Sequence, residues 1–332
     1  MQYRAIGDSG ISASVVALGT WVTGGGEMWN GVDDAESQRA IEVSLDHGVN
    51  FIDTAPAYGW GHSEEILGKA LRGRRDKVVL ATKCGMWWDD NRGSFHFSFD
   101  GKDTYISLRP DTLAIEIENS LRRLGTDCID LYQIHWPAKE PDLTPIEDTM
   151  AFLLKLREQG KIRAIGLSNV SVEQIEEYRT YGAVASDQLR YSMLFRAPEG
   201  DVLPYCANNG LATLTYMSLE QGLLTGKVGM DRVFDPNEFR SNEAWNAWFK
   251  LANRAKVLEM LAGWKDLTGK YSCTLAQLVI AWTAAQPGVT HVLCGARTAA
   301  QAEQNAAAGA LVLEAEDIAR IRNDAIALGD PQ

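Results

Sequence analysis

Cysteine is sparse and unpatterned in this chain. Five residues stand at positions 84, 128, 206, 273 and 294, an odd number with no CxxC spacing. That excludes a disulfide framework and a cysteine-based zinc site, and no metal centre is expected. Reduced thiols make the cytoplasm the expected home. Positive charge is also scarce. Lys and Arg number 32 against 44 Asp and Glu, the net charge is -12, and no run of Lys or Arg exceeds a pair. Without a basic stripe, nucleic acid is not an expected partner. No stretch approaches the roughly 18 uninterrupted apolar residues of a membrane span. The opening residues MQYRAIGDSG carry no apolar signal core. Missing too is a G-x-G-x-x-G turn behind the first predicted strand, where GTWVTGGGEMWN stands instead.

What is present is an ordinary globular composition, 45% hydrophobic and 23% charged. Such a length allows one large domain or two ordinary ones. No shift in composition marks a boundary, so residues 1–332 are expected to form a single domain. Residues 2–13 read as a short hairpin, with Asp8-Ser9-Gly10 as its turn. A regular alternation follows. The pattern predicts strands at Val15–Gly19, Val49–Thr54, Val78–Thr82, Ile129–His135, Ala164–Ser168, Val184–Leu189, Ala212–Tyr216 and Val289–Cys294. It predicts helices at Ala35–His47, Ser63–Arg72, Arg109–Leu124, Pro145–Gln159, Ser171–Tyr181, Val202–Asn209 and Thr274–Gln286. Ser63 and Ser171 suit N-caps, Pro145 suits a first helical position, and Gln159-Gly160 and Asn209-Gly210 suit stops. Eight strands alternating with helices predict a (β/α)8 TIM barrel with an N-terminal β-hairpin. The competing doubly wound sheet needs the glycine fingerprint that this chain lacks. Two connections are long, Cys84 to Leu108 and Leu219 to about Asn246. Both fall at the C-terminal rim, where long loops usually carry function.

In a barrel the strand C-termini share that rim. The first polar groups after the apolar runs are Asp53 with Tyr58, then Lys83, then His135. Together they suit acid catalysis by a phenol. A free tyrosine titrates near 10, too high to donate a proton well at neutral pH. A nearby ammonium, Lys83, is expected to lower that value, and Asp53 would serve as the counter-ion of a buried lysine. His135 can donate a hydrogen bond to an oxygen that gains negative charge. The set suits protonation of a carbonyl oxygen while hydride reaches carbon. Lys83 on a barrel strand also admits a Schiff-base aldolase.

Five stretches, GVNFIDTAPAYGWGHSEEILGKAL, LATKCG, IDLYQIHWP, IRAIGLSNV and GLLTGK, resemble the aldo-keto reductase superfamily, in the same order and across nearly the whole chain. YRAIGDSGISAS and GARTAAQAEQN resemble its bacterial branch related to potassium-channel β subunits and general stress reductases. The resemblance implies a (β/α)8 barrel and a catalytic tetrad of Asp53, Tyr58, Lys83 and His135. It implies reduction of a small-molecule carbonyl substrate with a nicotinamide dinucleotide, or, as in the channel subunits, an NADP(H)-binding redox-sensing accessory role with little turnover. Asp53, Gly19, Thr20 and Trp21 would lie near the reacting centre. Ser168, Asn169 and Gln188 would face the nicotinamide carboxamide, and Tyr216 would stack on its ring. The loop with Ser218, Leu219, Gln221, Gly222, Leu223, Thr225 and Lys227 would approach the pyrophosphate. Relatives read SPLAQGLLTGK there, and Met217, Ser218 and Glu220 depart from that. Gly295 to Thr298 would open a helix, a natural anion site, while Gln301 and Asn305 would meet the adenine side. Arg297 offers a planar fork for a 2′-phosphate, which favours NADPH (NADP+) over NADH.

Eight of the ten tryptophans fall in regions predicted to lie beyond strand C-termini: Trp21, Trp29, Trp60, Trp87, Trp88, Trp136, Trp245 and Trp248. Of these, Trp21, Trp87, Trp88 and Trp136 are expected to line the substrate pocket with Tyr58 and His135. Polar residues between them, Asp89 to Arg92 and His96, favour a polyol or sugar-derived aldehyde. The resemblance implies one such candidate, a hexose oxidised at C6, which one member of this branch reduces. The sequence leaves the oligomeric state open.

Overall fold

A computed structural model describes residues 1–332. Eight parallel strands close into a barrel: Val16–Gly19, Phe51–Asp53, Val79–Cys84, Ile129–Ile134, Ile162–Ser168, Ser186–Arg190, Ala212–Tyr216 and His291–Gly295. Each pairs with its neighbour in sequence, and the last pairs with the first in the register Val292↔Val16 to Gly295↔Gly19. This is the expected (β/α)8 TIM barrel. All eight strands fall where the alternation predicts them, with ends shifted by two residues at most.

A period of two explains how the strands serve both core and site. On the third strand Leu80 and Cys84 face the surrounding helices, whereas Val79 and Ala81 face the barrel interior. The same parity sends Lys83 inward. On the second strand Phe51 and Asp53 share the inward parity, and on the fourth Leu131, Gln133 and His135 do. The lower interior is apolar, formed by Phe51, Val79, Ala81, Leu131, Ala164, Ala212, Leu214 and Leu293. Its N-terminal mouth is closed by the hairpin, Tyr3–Ala5 paired with Ser12–Ser14, whose Ile6 and Ile11 join that cluster. Gly7, at φ +50°, is pressed so closely against the barrel that a Cβ would lie 2.4 Å from the Ala185 carbonyl oxygen.

Helices cover the barrel between strands. Ser171 caps Val172–Tyr181 as expected, in a capping box with Gln174. Two predicted starts differ. The second helix runs His62–Ala70 from a left-handed Gly61, and Ser63 lies inside it, bonded to Thr20 and Thr54 rather than capping. The fourth is Ile146–Glu158, with Pro145 at the cap position instead of the first turn. Four helices lie outside the set predicted from the alternation: Leu251–Ala262, Lys265–Lys270, Ala299–Ala308, which the resemblance implied, and the C-terminal Ala315–Ala327. No helix is long and apolar enough to cross a membrane.

The connection after the third strand, predicted as a long loop, contains an antiparallel three-stranded sheet of Met86–Trp87, Lys102–Ile106 and Ser94–Phe99. Its hairpin turns at Asp100-Gly101, both with positive φ (+50° and +70°), between the paired Phe99 and Lys102. The turn reaches across the rim, where the Glu27 amide donates to Asp100 Oδ1 at 3.2 Å. The long connection after the seventh strand is irregular, with short 3-10 turns at Glu220–Thr225, Phe239–Ser241 and Ala247–Phe249.

Candidate active site

Asp53, Tyr58, Lys83 and His135 meet at the C-terminal rim. Lys83 has no solvent exposure, and its ammonium donates to Asp53 Oδ1 at 2.6 Å, to the Thr54 carbonyl at 2.9 Å and to the Tyr58 hydroxyl at 3.2 Å. The other Asp53 oxygen accepts from Gln133 at 2.8 Å and from Gln188 at 2.9 Å. A buried carboxylate thus has three donors, which offsets its desolvation. Tyr58 and His135 stand edge to face with ring centroids 5.9 Å apart.

These environments fix the protonation states. Burial disfavours the Lys83 charge, but attraction to Asp53 and then to Tyr58 outweighs it and raises the ammonium above its ordinary value. For Tyr58 the largest influence is burial, which raises it. Lys83 pulls it down, Asp53 pushes it up, and the net effect is a rise. The expectation that Lys83 leaves Tyr58 more acidic than a free phenol is therefore corrected: its pull is present and burial exceeds it. The result is a phenol that keeps its proton beside a permanent cation. Burial, then Lys83 and His96, holds His135 well below its usual range, so its imidazole is neutral. Its Nδ1 is buried without a partner.

The remaining expected residues fall into three groups around this centre. Near it, Thr20 bonds the Asp53 carbonyl through both its amide (2.9 Å) and hydroxyl (3.0 Å), following Gly19 at the end of the first strand. Ser168 donates to the Gln188 carbonyl at 2.8 Å, and Asn169 bridges Ser168 and the His135 carbonyl, both at 3.0 Å. The Tyr216 hydroxyl closes this chain on Asn169 Oδ1 at 2.7 Å. Gln188, expected to face a carboxamide, donates through Nε2 to Asp53.

A second group lies along the seventh and eighth strands. Ser218 is buried against Thr215, Leu219 and Leu223 pack into the core, and Thr225 donates to the Gly222 carbonyl at 2.7 Å, while Lys227 is exposed. Gln221 bonds Asn246 at 2.6 Å. The departure at Glu220 has an internal reason: its buried carboxylate pairs with Arg190 at 3.0 Å. Thr298 caps the helix Ala299–Ala308, which follows Gly295. The Arg297 amide bonds Gln301, and its guanidinium donates to the Asn30 carbonyl. Asn305 returns to the Gly295 carbonyl at 3.0 Å. Burial and then Arg240 lower Arg297, Glu238 raises it, and Arg232 lowers it, so three guanidiniums and one carboxylate share this end of the rim.

The aromatic residues divide. Trp21 packs edge-on against Trp29 at 5.0 Å and Phe239 at 5.1 Å, joining the first and seventh rim loops. Trp88 meets Trp60 at 5.5 Å, and Trp136 meets His96 at 5.3 Å. Trp87 is buried and held by Asp90 (2.8 Å) beneath the Arg92 guanidinium. Trp245 points to solvent, 67% exposed, and Trp248 is buried. Two groups escaped the sequence: Gln133, beside Asp53 and hidden inside an apolar strand, and Lys139, beside His96 in the middle of the proline-containing loop after the fourth strand. The inward parity of Leu131, Gln133 and His135 was the available signal for the first.

The Aldo/keto reductase family model matches residues 15–325. The chain is 41% identical over 332 residues to the NADH-specific methylglyoxal reductase of Escherichia coli, covering 99% of each protein. It is 32% identical to a probable voltage-gated potassium channel subunit beta of Arabidopsis thaliana, across 92% of this chain and 90% of that one. The solved structure of the glycerol dehydrogenase AKR11B4 from Gluconobacter oxydans matches with a TM-score of 0.85 at 36% identity, covering 99% of this chain and 96% of that one. With the barrel, the hairpin and these matches in hand, the chain belongs to the aldo/keto reductase family.

Proposed function

We propose that this single-domain chain is a nicotinamide-dependent carbonyl reductase acting on a small, oxygen-rich aldehyde, with sugar-derived aldehydes such as a 6-oxo-hexose in range. The observation that carries this is the Lys83 ammonium, held at 2.6 Å from Asp53 and 3.2 Å from the Tyr58 hydroxyl. The cofactor, when bound, supplies the hydride. Everything else is done by this chain. Tyr58 holds the proton and gives it to the carbonyl oxygen, and the adjacent Lys83 charge stabilises the phenolate left behind. The neutral His135 positions that oxygen through its remaining N–H. Asp53 keeps Lys83 charged and fixed. The rim fits a dinucleotide: Ser168, Asn169 and Tyr216 cluster beside the reacting centre, and a capped helix N-terminus with Arg297 offers an anion site. The names of relatives that act on methylglyoxal and glycerol agree with a short, polar substrate.

NADPH is the proposed cofactor, because the Arg297 guanidinium stands at the expected 2′-phosphate site with Arg232 near enough to act on it, while Arg240 is ion-paired to Glu238. A second reading, NADH, is favoured by the Glu238 carboxylate there and by the relative named as NADH-specific. Arg297→Ala should lower kcat/KM for NADPH by roughly tenfold or more, the worth of a charged hydrogen bond, while sparing NADH. Equal losses for both would exclude a phosphate role. Tyr58→Phe should bind cofactor, read by fluorescence, yet lose about 10²- to 10⁴-fold in turnover; undiminished turnover would refute the assignment. The accessory-subunit reading, drawn from the channel relative, instead predicts negligible turnover of every aldehyde by the wild-type chain.

A further inference from the structure

Beyond the tetrad, His96 and Lys139 form a polar pair that the reaction does not use. His96 lies on the hairpin strand Ser94–Phe99, at a bulge between Phe95 and Phe97, and the exposed Phe95 packs on its partner Tyr105 at 6.0 Å. The hairpin strand is tied to the loop after the fourth barrel strand. Ser94 donates to the Lys139 carbonyl at 2.5 Å and accepts from the Asp142 amide at 2.9 Å. His96 packs against Trp136 at 5.3 Å, next in sequence to His135, and is near enough to act on His135 electrostatically. Lys139 Nζ lies 3.2 Å from His96 Nδ1. An ammonium only donates, so Nδ1 accepts and the ring proton sits on Nε2. Burial and the Lys139 charge hold His96 down at about 4, which keeps this tautomer neutral across physiological pH.

Two features make this pair a site rather than a structural contact. His96 Nε2 has no protein partner and is not among the sealed, unpartnered atoms. The half-buried Lys139 has no carboxylate within 4.0 Å, although acidic residues outnumber basic ones by 44 to 32. What the pair presents is therefore donors only: one imidazole N–H and the two ammonium N–H groups not pointed at His96. A ligand that satisfies such a set offers acceptors without donors, and a negative charge strengthens each bond.

We propose that His96 and Lys139 form a subsite for a carboxylate at the far end of the substrate, so that the preferred substrates are aldehyde acids. This rests on the carbonyl-reductase reading of the neighbouring tetrad. The carbon chain would cross the face of Trp136, the aldehyde between Tyr58 and His135 and the carboxylate on the hairpin side.

The test is a ladder of 4-oxobutanoate, 5-oxopentanoate and 6-oxohexanoate, each compared with its neutral methyl ester. At one length or more, kcat/KM for the acid should exceed that for the ester at least tenfold, equivalent to about 1.4 kcal/mol. Lys139→Met, and Lys139→Gln as a second variant, should bring that ratio toward one. A second readout needs no turnover: the acid of preferred length should quench the fluorescence of wild-type protein, where Trp136 adjoins His96, more strongly than that of Lys139→Met. Thermal melting and cofactor binding establish that each variant is folded. A smaller ratio at every length, a ratio that survives both variants, or turnover of neither acids nor esters while 4-nitrobenzaldehyde is reduced, overturns the subsite. Absence of turnover on 4-nitrobenzaldehyde and every other aldehyde overturns the reductase reading instead.

Discussion

Replacing Lys83 by methionine isolates the physical claim on which the site depends. The side chains have similar length, so the change removes a charge with little change in packed volume. Asp53 would then be 2% exposed with its Oδ1 unpaired, held only by the two glutamine amides on Oδ2. Removing one partner of a buried ion pair typically costs about 3–5 kcal/mol. At roughly 2.1 cal/mol/K per residue, the unfolding entropy of a chain this long converts that to a fall of about 4–7 °C in Tm. The sign of the coupling separates charge from packing. In Asp53→Asn/Lys83→Met no charge remains to be stranded, so the double variant should be more stable than Lys83→Met, and its loss should fall short of the sum of the two single losses by an interaction energy of roughly 0.5–3 kcal/mol. Differential scanning calorimetry of the wild type, both single variants and the double variant closes the cycle. A Lys83→Met melting temperature equal to wild type, or a double variant whose loss equals the sum of the singles, would refute the ion pair as the element that fixes this rim.

Two further outcomes follow from groups outside the tetrad. Glu116 is buried with Oε2 accepting the Gly85 amide at 2.8 Å and Oε1 unpartnered, and burial raises it from 4.5 to about 8. A carboxyl raised on folding contributes stability that is fully present below its unfolded value and is lost as pH climbs through the folded one. Melting temperature should therefore fall between about pH 4.5 and pH 8, and Glu116→Gln should flatten that slope; an unchanged slope would exclude Glu116 as its source. Gly101 stands at φ +70° with open space where a Cβ would go, so Gly101→Val strains the hairpin turn through backbone conformation alone. About 1–2 kcal/mol of left-handed strain should speed amide exchange in the hairpin roughly fivefold to thirtyfold. Exchange at wild-type rates would show that the turn does not limit opening.

The barrel could be read in advance because its signal is local. Apolar runs alternate with helical segments, and strand parity follows from covalent geometry at every residue. The sheet at Met86–Ile106 was missed for a related reason. Asp100-Gly101 is a strong hairpin signal, but the flanking FHFSF and KDTYI mix aromatic and polar residues and bury only one face against the rim. Ser63 looked like a cap and proved to be a buried tie between Thr20 and Thr54, because Gly61 already supplied the turn into the helix. Gln188 belonged to the predicted set by position, and its Nε2 is oriented by the same Asp53 oxygen that accepts from Gln133, a bond no local pattern announces.

The sequence by itself determined the number and order of the barrel strands, which of their residues point inward, and that a carboxylate, a phenol, an ammonium and an imidazole stand at or just beyond strand ends. Only the tertiary structure decided how those four act on one another. Whether Lys83 acidifies Tyr58 depends on the balance between a charge 3.2 Å away and the loss of water around the phenol, and burial prevails. The same holds for His96 and Lys139, which are 43 residues apart and become a donor pair only when the hairpin folds over the rim. Local patterns specify which groups a chain carries and which way they face. Desolvation and distance, properties of the packed whole, set what those groups can do.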